Sequence, residues 1–594
     1  MNEQKSNTGK QLKQHDISML TVFFMIFCMV CAGAYGIEDM IPAAGPGLTL
    51  LLLIVLPFFW SIPQGLIAAE LGSAIPEEGG YYKWVQRALG EFWGFQAGWW
   101  RTLSIYVDST LYVVLATGYL GAFIALTPLQ EFLFKLVFIL VFVYINIRGL
   151  TDVGRIAAYF SVLVMATFII LTVVGFANWN TNPFLPFIPE GQTVMGSIGL
   201  GVAICMWMYA GYESMSTVAG EVKNPQVIPK ATLLSIPAIM LFYILPTMAG
   251  LSSVGNWQQW GTAGGISFAT VAGMIGIPMF ALLFVVAAII SNASLYNTYL
   301  ASGSRGFYAM SEDHLAPRFF ADISGKYGTP HKAILSMAVV NLILCQYGFD
   351  VLVVIDVFLL MFAYILIYVS AIVLRIKEPD LPRGFRIPFG TRGLIVFCIP
   401  PTILAVIALF TNGLLYFIGG CIGILSGPIA YYFCKRIYGG LDMTHVIDKK
   451  DKRNIAVASA VMVVFIAVAG FMVASERQNA HQALNEFAAP LFSAQEYDTF
   501  YDFGEELYGI SLAGHPQYSI YYDEGFFATI DLGQKFDDEN AFAAAALSEL
   551  QQLAALAPDV EYVDIYADNY LLYGAEYGAY SSIEQMAADV GKAY

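Results

Sequence analysis

Two glycines and two carboxylates interrupt an apolar stretch of about residues 17–41. The interruption, called here the first break, reads Gly33-Ala34-Tyr35-Gly36-Ile37-Glu38-Asp39. Glycine permits backbone conformations that end a helix. The amides of the half-helix that follows attract anions, and the carbonyls freed before it can accept from an ammonium group. A plain helix kink is the alternative, which the two carboxylates argue against. We predict a binding site for a small charged molecule at Gly33, Ala34, Tyr35, Gly36 and Glu38.

The two acids of the first break are also candidates for proton exchange. An ionisable residue inside an apolar span is a functional candidate by default. Glu38 ranks above Asp39, because only a few residues separate the pair from Pro42 and one of them can reach the outer interface.

A second break repeats the pattern. Ala210-Gly211-Tyr212-Glu213 lies inside the apolar stretch 194–219, and its Gly-x-Glu matches Gly36-Ile37-Glu38. Glycine interruptions in corresponding segments of two halves indicate the binding site of a secondary transporter built from inverted repeats. We predict that Ala210, Gly211 and Tyr212 contribute to the site. Trp207, six residues before Glu213, could stack on a bound molecule, although packing is the commoner role of such a tryptophan.

Three further acids lie in apolar runs. Asp108 is mid-span between Tyr106 and Tyr112 and is the strongest cavity candidate; Asp356 is the second, and Glu70, near a span end, is predicted to be structural. We count no lysine or arginine near the middle of any span, so these acids are expected to be unpaired. Unpaired acids around a cavity suit a cationic substrate or protons.

The composition requires membrane-spanning elements to position these residues. Of 594 residues, 58% are hydrophobic and only 12% are charged, about half the charge of an ordinary soluble chain. A span needs about 20 apolar residues, and thirteen stretches are candidates. They are residues 17–41, 46–74, 92–121, 130–148, 156–177, 194–219, 231–252, 270–300, 333–349, 351–374, 394–411, 413–433 and 455–474.

Signals for catalysis, cofactors, metals and nucleic acid are missing from the sequence. Six His and seven Cys are too few and too scattered for a metal framework, and Cys28-x-x-Cys31 lies in the first span, where packing is its expected role. There is no phosphate-binding lysine loop, zinc-binding histidine motif or nucleophile elbow. We therefore expect no enzyme, no cofactor, no metal and no nucleic-acid partner, and energy from ion or substrate gradients.

Basic residues predict the orientation in a cell membrane. Short loops rich in Lys and Arg stay in the cytoplasm. Such residues fill the N-terminus and every even-numbered loop, and the odd-numbered loops have almost none, Lys135 excepted. Residues 1–16 are thus expected to be cytoplasmic, and the thirteenth span delivers the tail outside.

The tail carries the acidic excess. From residue 475 onward there are 21 acids and 3 bases, a net charge of −18, which leaves +2 for the rest. Residues 518–522, 526–530 and 561–566 are predicted as strands and 541–557 as a helix, hence a small α+β domain. The simpler interpretation is that the negative charge keeps this domain soluble. The alternative is that it attracts cationic substrate and raises its local concentration.

Long motifs resemble the amino acid–polyamine–organocation superfamily. The run Trp207-Met-Tyr-Ala-Gly-Tyr-Glu213-Ser-Met-Ser-Thr-Val-Ala-Gly-Glu221-Val-Lys-Asn-Pro225 is similar to its sixth helix and following loop. Within the superfamily, the chain is most similar to the polyamine uptake and L-amino acid permease branch, over about residues 15–435. The runs that carry this similarity include Gly36-Ile-Glu-Asp39, Ala44-Gly-Pro46, Trp60-Ser-Ile-Pro63, Pro76-Glu-Glu-Gly-Gly80-Tyr81, Asp108 and Arg148-Gly-Leu-Thr151.

The resemblance implies an all-α polytopic fold: a five-plus-five inverted repeat with broken helices 1 and 6, and added helices 11 and 12. It also implies alternating access, with Trp207 as the occluding aromatic and Glu213 as the proton-linked acid. Two features depart from the family pattern. The 156–177 span lacks the lysine that some members use in place of a sodium ion, and a thirteenth helix with an outer domain exceeds the usual plan.

The predicted organisation is a cytoplasmic N-terminus (1–16), a twelve-helix core (17–433), a basic cytoplasmic linker (434–453), a thirteenth helix (454–474) and an acidic extracytoplasmic α+β domain (475–594). The predicted function is proton-coupled uptake of polyamines or amino acids, with Glu213, Glu38 and Asp39 as proton-coupling acids. An amino acid/amine antiporter and a transporter-like sensor that signals through the tail are the alternatives. Sodium coupling stays open, because Ser291, Ser294 and carbonyls near Gly33 could form a cation site.

Overall fold

The computed structural model describes the chain apart from residues 1–11, 122–123, 125, 190–193, 262–265, 276–277, 409–413, 489–494, 503–504, 513–514, 524, 537, 558–559, 561, 568–569, 576–582, 588–589 and 593–594. It forms two compact units, Met1–Val463 and Val464–Tyr594, which are described separately.

The first unit is helical. Its α-helices are Met19–Val30, Met40–Ala44, Pro46–Phe59, Ser61–Ala74, Tyr81–Leu89, Glu91–Gly121, Pro128–Arg148, Leu150–Ala177, Val194–Met208, Val227–Ser253, Phe268–Met274, Pro278–Glu312, His331–Leu344, Phe349–Lys377, Thr391–Ala408, Leu414–Tyr438 and the start of Lys449–Ala488. Short 3-10 helices occupy Ile37–Asp39, Ser214–Glu221, Trp257–Gln259 and Arg318–Ala321.

Seven segments among the described residues are long and apolar enough to cross a bilayer, so the chain is a multi-pass membrane protein. They are Pro46–Ala74, Glu91–Gly121, Pro128–Arg148, Leu150–Ala177, Val227–Ser253, Ala281–Glu312 and Ile355–Lys377. Each overlaps one of the thirteen predicted spans. Three shorter apolar helices, Met19–Val30, His331–Leu344 and Thr391–Ile407, overlap three more. The full count of thirteen and the domain boundaries remain predictions.

Both breaks interrupt helices at the residues that the glycines indicate. The helix Met19–Val30 ends, Gly33 and Gly36 adopt φ of 112° and 94°, and the 3-10 helix Ile37–Asp39 follows. In the second break, Val194–Met208 ends, Gly211 has φ of 109°, and the 3-10 helix Ser214–Glu221 follows. Such backbone conformations are strained for residues with a Cβ, so the glycines place both turns.

The helix Glu91–Gly121, called here the central helix, carries most of the polar chemistry. It packs most extensively against Pro278–Glu312 and Phe349–Lys377. It has the lowest hydropathy of the seven spans, yet shares the highest burial. Its polar side chains therefore face protein instead of lipid, as is usual for functional groups at membrane depth.

The second unit contains a seven-stranded sheet in sequential order, with strands Gln495–Asp502, Glu505–Leu512, His515–Asp523, Gly525–Asp531, Tyr562–Tyr566, Tyr570–Ala575 and Gly591–Lys592. The fourth and fifth strands are parallel and the other pairs antiparallel. The helix Glu539–Leu556 makes the crossover that a parallel pair requires. Alternate strand residues pack with this helix in one core that includes Ile520, Ile530, Val563 and Phe542.

A buried lysine joins the helix that starts at Lys449 to the rest of the first unit. Lys435 Nζ lies 2.8 Å from Glu91 and 3.1 Å from Asp451. The Tyr431 hydroxyl lies 2.8 Å from an oxygen of each acid. These four residues, called here the Lys435 cluster, fix the segment between the two helices. The helix Leu414–Tyr438 continues past the predicted span 413–433. Its last turn contains Lys435 and Arg436, and positive charges stabilise the C-terminal end of a helix.

We expect Lys435→Met to lower the apparent melting temperature of the purified protein. Asp451, which is buried, and Glu91, which is partly buried, would remain without their shared cation; breaking a fully buried pair costs about 3–5 kcal/mol, and we expect a smaller loss here. Lys452→Met is the matched control, since Lys452 is exposed and lies one residue beyond Asp451. The measurement is thermal unfolding in detergent, followed by tryptophan fluorescence. Equal melting of the two variants would contradict a stabilising role for the cluster.

Candidate binding site between the two breaks

A small cavity lies where the two breaks approach the central helix. Its volume is about 30 Å³, enough for an ordered water and too small for an organic substrate. Tyr35, Asp108, Trp207 and Ala210 of the predicted site line it. The cavity therefore has to widen before a larger molecule can bind.

The other predicted site residues surround the cavity without lining it. The Gly211 amide donates to the Tyr364 hydroxyl at 2.9 Å, and the Tyr212 hydroxyl accepts from Ser61 at 2.8 Å. Ala34 is fully buried, and a Cβ on Gly33 would lie 2.7 Å from the Phe168 ring. These residues shape the backbone of the site instead of contacting its contents.

Glu38 caps backbone amides in this conformation. Its carboxylate accepts from the Gly36 amide at 2.7 Å and from the Phe268 amide at 3.4 Å. The side chain is fully buried. Asp39 is half-buried and lies at the end of the same 3-10 helix. Glu38 thus occupies the anion position at the first break, where the sequence predicted a place for a substrate carboxylate.

Asp108 faces the cavity among aromatic rings. It accepts from the Tyr112 hydroxyl at 2.8 Å, and Tyr299 and Trp207 are further hydrogen-bond partners. Tyr112 and Tyr299 stack with ring centroids 5.6 Å apart. A carboxylate bordered by aromatic faces is suited to an ammonium group, which gains both charge pairing and cation–π attraction.

The expectation that no base lies near mid-span is wrong. Arg101, on the central helix, is 1% exposed, and its Nε donates to Glu213 at 2.7 Å. The Tyr364 hydroxyl donates to the other Glu213 oxygen at 2.9 Å. Arg101 lies nearer to the start of the predicted 92–121 span than to its middle. In a helix of 31 residues, a position ten residues from the start is already deep.

Two other acids of the predicted motifs are paired as well. Glu70 contacts Arg375 at 2.5 Å and Arg383 at 3.2 Å, so the expectation that it is unpaired is wrong, and its ion pairs fit a structural role. Glu221, in the loop motif after the second break, contacts Arg305 at 2.6 Å, and both side chains are fully buried. Sequence reasoning missed these pairs, because each joins residues far apart in the chain.

Asp356 belongs to the same network as Arg101. The Ser104 hydroxyl donates to Asp356 at 2.5 Å and accepts from Arg101 Nη1 at 2.8 Å. Both Asp356 and Arg101 line the cavity. One sequence signal could have found this group, since Arg101, Ser104 and Asp108 have the three- and four-residue spacing of a single helix face.

The two serines named for a sodium site donate hydrogen bonds to residues of the first helix or next to it. Ser291 donates to the Ala32 carbonyl, and Ser294 donates to Cys28 Sγ at 2.8 Å. Cys28 Sγ also lies 2.8 Å from the Ser161 hydroxyl. In this conformation, the first break is tied through these contacts to Leu150–Ala177 and Pro278–Glu312.

Outside the spans, one histidine docks the N-terminal segment. The His15 amide donates to the Glu221 carbonyl at 2.7 Å, and its Nδ1 lies 2.6 Å from the Thr151 hydroxyl. Burial lowers the pKa of His15, against the opposing effect of Glu221. The imidazole is thus neutral at neutral pH, as its close packing requires.

Comparisons with known proteins place the chain among permeases. The family model described as amino acid permease matches residues 17–432. A protein described as a probable polyamine transporter of Arabidopsis thaliana is 36% identical over 402 residues, covering 67% of this chain and 80% of that protein. A polyamine transporter of rice (Oryza sativa subsp. japonica) is 36% identical over 400 residues, covering 66% of this chain and 73% of that protein. A branched-chain amino acid permease of Bacillus subtilis is 26% identical over 375 residues, covering 58% of this chain and 77% of that protein.

Proposed function

The chain belongs to the amino acid permease family, and on that premise we propose that it is a proton-coupled secondary transporter that takes up cationic amines, polyamines first, by alternating access. The observation that carries the proposal is the placement of Asp108 and Asp356 on one cavity with Tyr112, Trp207 and Tyr299. Acidic groups at membrane depth need a compensating cation, and a substrate ammonium supplies it.

The state of the two breaks favours an amine over a carboxylate. A free carboxylate would be held by backbone amides at a helix break. Here the Gly36 amide donates to Glu38 and the Gly211 amide donates to Tyr364. A substrate carboxylate would have to displace these acceptors, whereas an ammonium group meets Asp108 directly. Amino acids are the second candidate substrates, supported by the likeness to amino acid permeases.

The proposed fold is a five-plus-five inverted repeat with two added helices and a thirteenth that carries the tail outside. The parallel form of the two breaks supports it: each has a helix end, a glycine with positive φ and a 3-10 helix. The proposed orientation has residues 1–16 in the cytoplasm, from the distribution of lysine and arginine.

Glu213, Glu38 and Asp39 remain the proposed proton-coupling acids. Glu213 is first among them because it joins the second break to the central helix through Arg101. A proton on Glu213 would remove the charge that Arg101 pairs with, so this contact can be made in one state of the cycle and broken in another. A two-state contact of this kind is what alternating access needs.

Uptake into proteoliposomes tests the proposal. The purified protein, with an imposed inward proton gradient, is offered labelled putrescine, spermidine, and neutral and cationic L-amino acids. Gradient-dependent uptake of polyamines supports it. Uptake only against internal amine would indicate an antiporter, and uptake of no amine or amino acid would reject the transporter and favour a sensor.

We expect Glu213→Gln to reduce uptake on the order of tenfold or more and to flatten its dependence on external pH. The amide cannot carry a proton, and it leaves Arg101 as a buried charge without its partner. Initial uptake rates across acidic to neutral external pH provide the measurement. Glu378→Gln is the control, because Glu378 pairs with Arg87 at the surface. A Glu213→Gln variant that keeps the wild-type pH profile would assign the proton to another acid.

A further inference from the structure

The charges around the cavity do not act independently. Asp108 and Asp356 line it, and Glu213 lies beside it on the second break. Arg101 contacts Glu213 directly at 2.7 Å and reaches Asp356 through Ser104. When a bound cation keeps all three acids ionised, the three acids and one base have a net charge of −2.

We propose that Arg101 is a specificity-determining residue, which neutralises Glu213 from within the protein and leaves the cavity matched to an amine with two positive charges. The inference rests on the proposed function, since it concerns the substrate of that same cavity. The inference adds two things to the proposed function: the charge of the substrate, and the residue that determines which charge the cavity accepts.

Arg101 is held too firmly for a substrate to replace it readily. Its guanidinium donates to Glu213, to Ser104 at 2.8 Å and to Ser214 at 2.9 Å. Glu213 is held in turn by Tyr364. A planar guanidinium stays protonated and gains from fixed, forked donors, so a mobile ammonium competes poorly for the same carboxylate.

Asp108 and Asp356 remain for the substrate. Asp108 accepts from Tyr112, with Tyr299 and Trp207 as further partners, and Asp356 accepts from Ser104. All of these donors are neutral. Both acids line the same cavity, so a diamine bound there can place one ammonium group at each carboxylate.

Competition between amines of different charge tests the role of Arg101. Butylamine, putrescine and spermidine carry one, two and three charges and compete for uptake of labelled putrescine in proteoliposomes. Wild type should prefer putrescine. Arg101→Met should shift the spermidine-to-putrescine preference on the order of tenfold towards spermidine. The double variant Arg101→Met/Glu213→Gln restores the net charge of −2. Because Glu213→Gln is itself expected to slow uptake, the ratio of every variant is also measured as competition for binding of labelled putrescine to the purified protein, and the double variant should bind with the wild-type ratio.

Several results would overturn the inference while leaving the transporter in place. They are a wild-type preference for butylamine or spermidine, an unchanged ratio in Arg101→Met, and a double variant that elutes as a single species but keeps the shifted ratio. If Arg101→Met does not assemble, the double variant and Arg101→Lys decide, since both preserve the net charge and both should keep the wild-type ratio. Absence of all uptake by wild type would reject the proposed function instead.

Discussion

Asp108→Asn should lower polyamine uptake roughly 100-fold, the largest effect expected of any single side chain in the site. Removing one partner of a buried charge pair costs about 2–5 kcal/mol, and each 1.4 kcal/mol is tenfold. Asparagine has the same shape and can still accept from Tyr112, which bonds to Asp108 at 2.8 Å. The loss should therefore come from the missing charge instead of from misfolding.

The experiment compares initial rates of labelled putrescine uptake at several substrate concentrations. Asp380→Asn is the control, because Asp380 is exposed. Asp108→Asn should raise the apparent KM for the diamine far more than for a neutral amino acid that the liposomes also take up. If the variant and the control transport putrescine equally well, Asp108 does not bind the ammonium group and the cavity assignment fails.

Gly211→Ala should reduce uptake at least tenfold, through the backbone instead of through charge. The residue has φ of 109°, and a Cβ there would lie 2.7 Å from the Tyr299 hydroxyl oxygen and 3.2 Å from the Met29 carbonyl oxygen. The left-handed region alone costs a residue with a Cβ about 1–2 kcal/mol. The Met29 carbonyl belongs to the helix before the first break, so the methyl group would push the second break away from that helix and from Tyr299.

Gly118→Ala is the matched control, since a Cβ at Gly118 would have no heavy atom within 4 Å. Both variants are measured for uptake and for thermal unfolding. A large loss of uptake in Gly211→Ala with assembly retained would show that the close approach of the second break to the first helix serves transport. Wild-type uptake in Gly211→Ala would mean that the second break does not take this conformation in the working protein.

The sequence was sufficient for the features that depend on local residue types. Glycine next to carboxylates inside an apolar run located both breaks, and the structure places Asp108 on the cavity. The ion pairs of Glu70 fit the structural role that its position near a span end indicates. These conclusions needed only the backbone freedom of glycine and the cost of an acid in lipid.

The network around Arg101 could not be obtained in this way. Its partner Glu213 is 112 residues away in the chain, and a count of charges in each span does not show which residues meet. The same limit applies to Glu38, whose second partner is the amide of Phe268. Whether an acid faces the cavity or caps a backbone depends on the packing of helices that are distant in sequence.

The Lys435 cluster determines where the chain can be shortened. The family match ends at residue 432, and the helix that carries Lys435 ends at Tyr438. A protein that ended at Tyr438 would keep Glu91 and Lys435 but lose Asp451, which completes the cluster. Glu91 begins the helix that holds Arg101 and Asp108, so the loss would fall on the element that carries the site. A minimal transporter from this chain should therefore extend beyond Asp451, past the boundary that comparison with its relatives suggests.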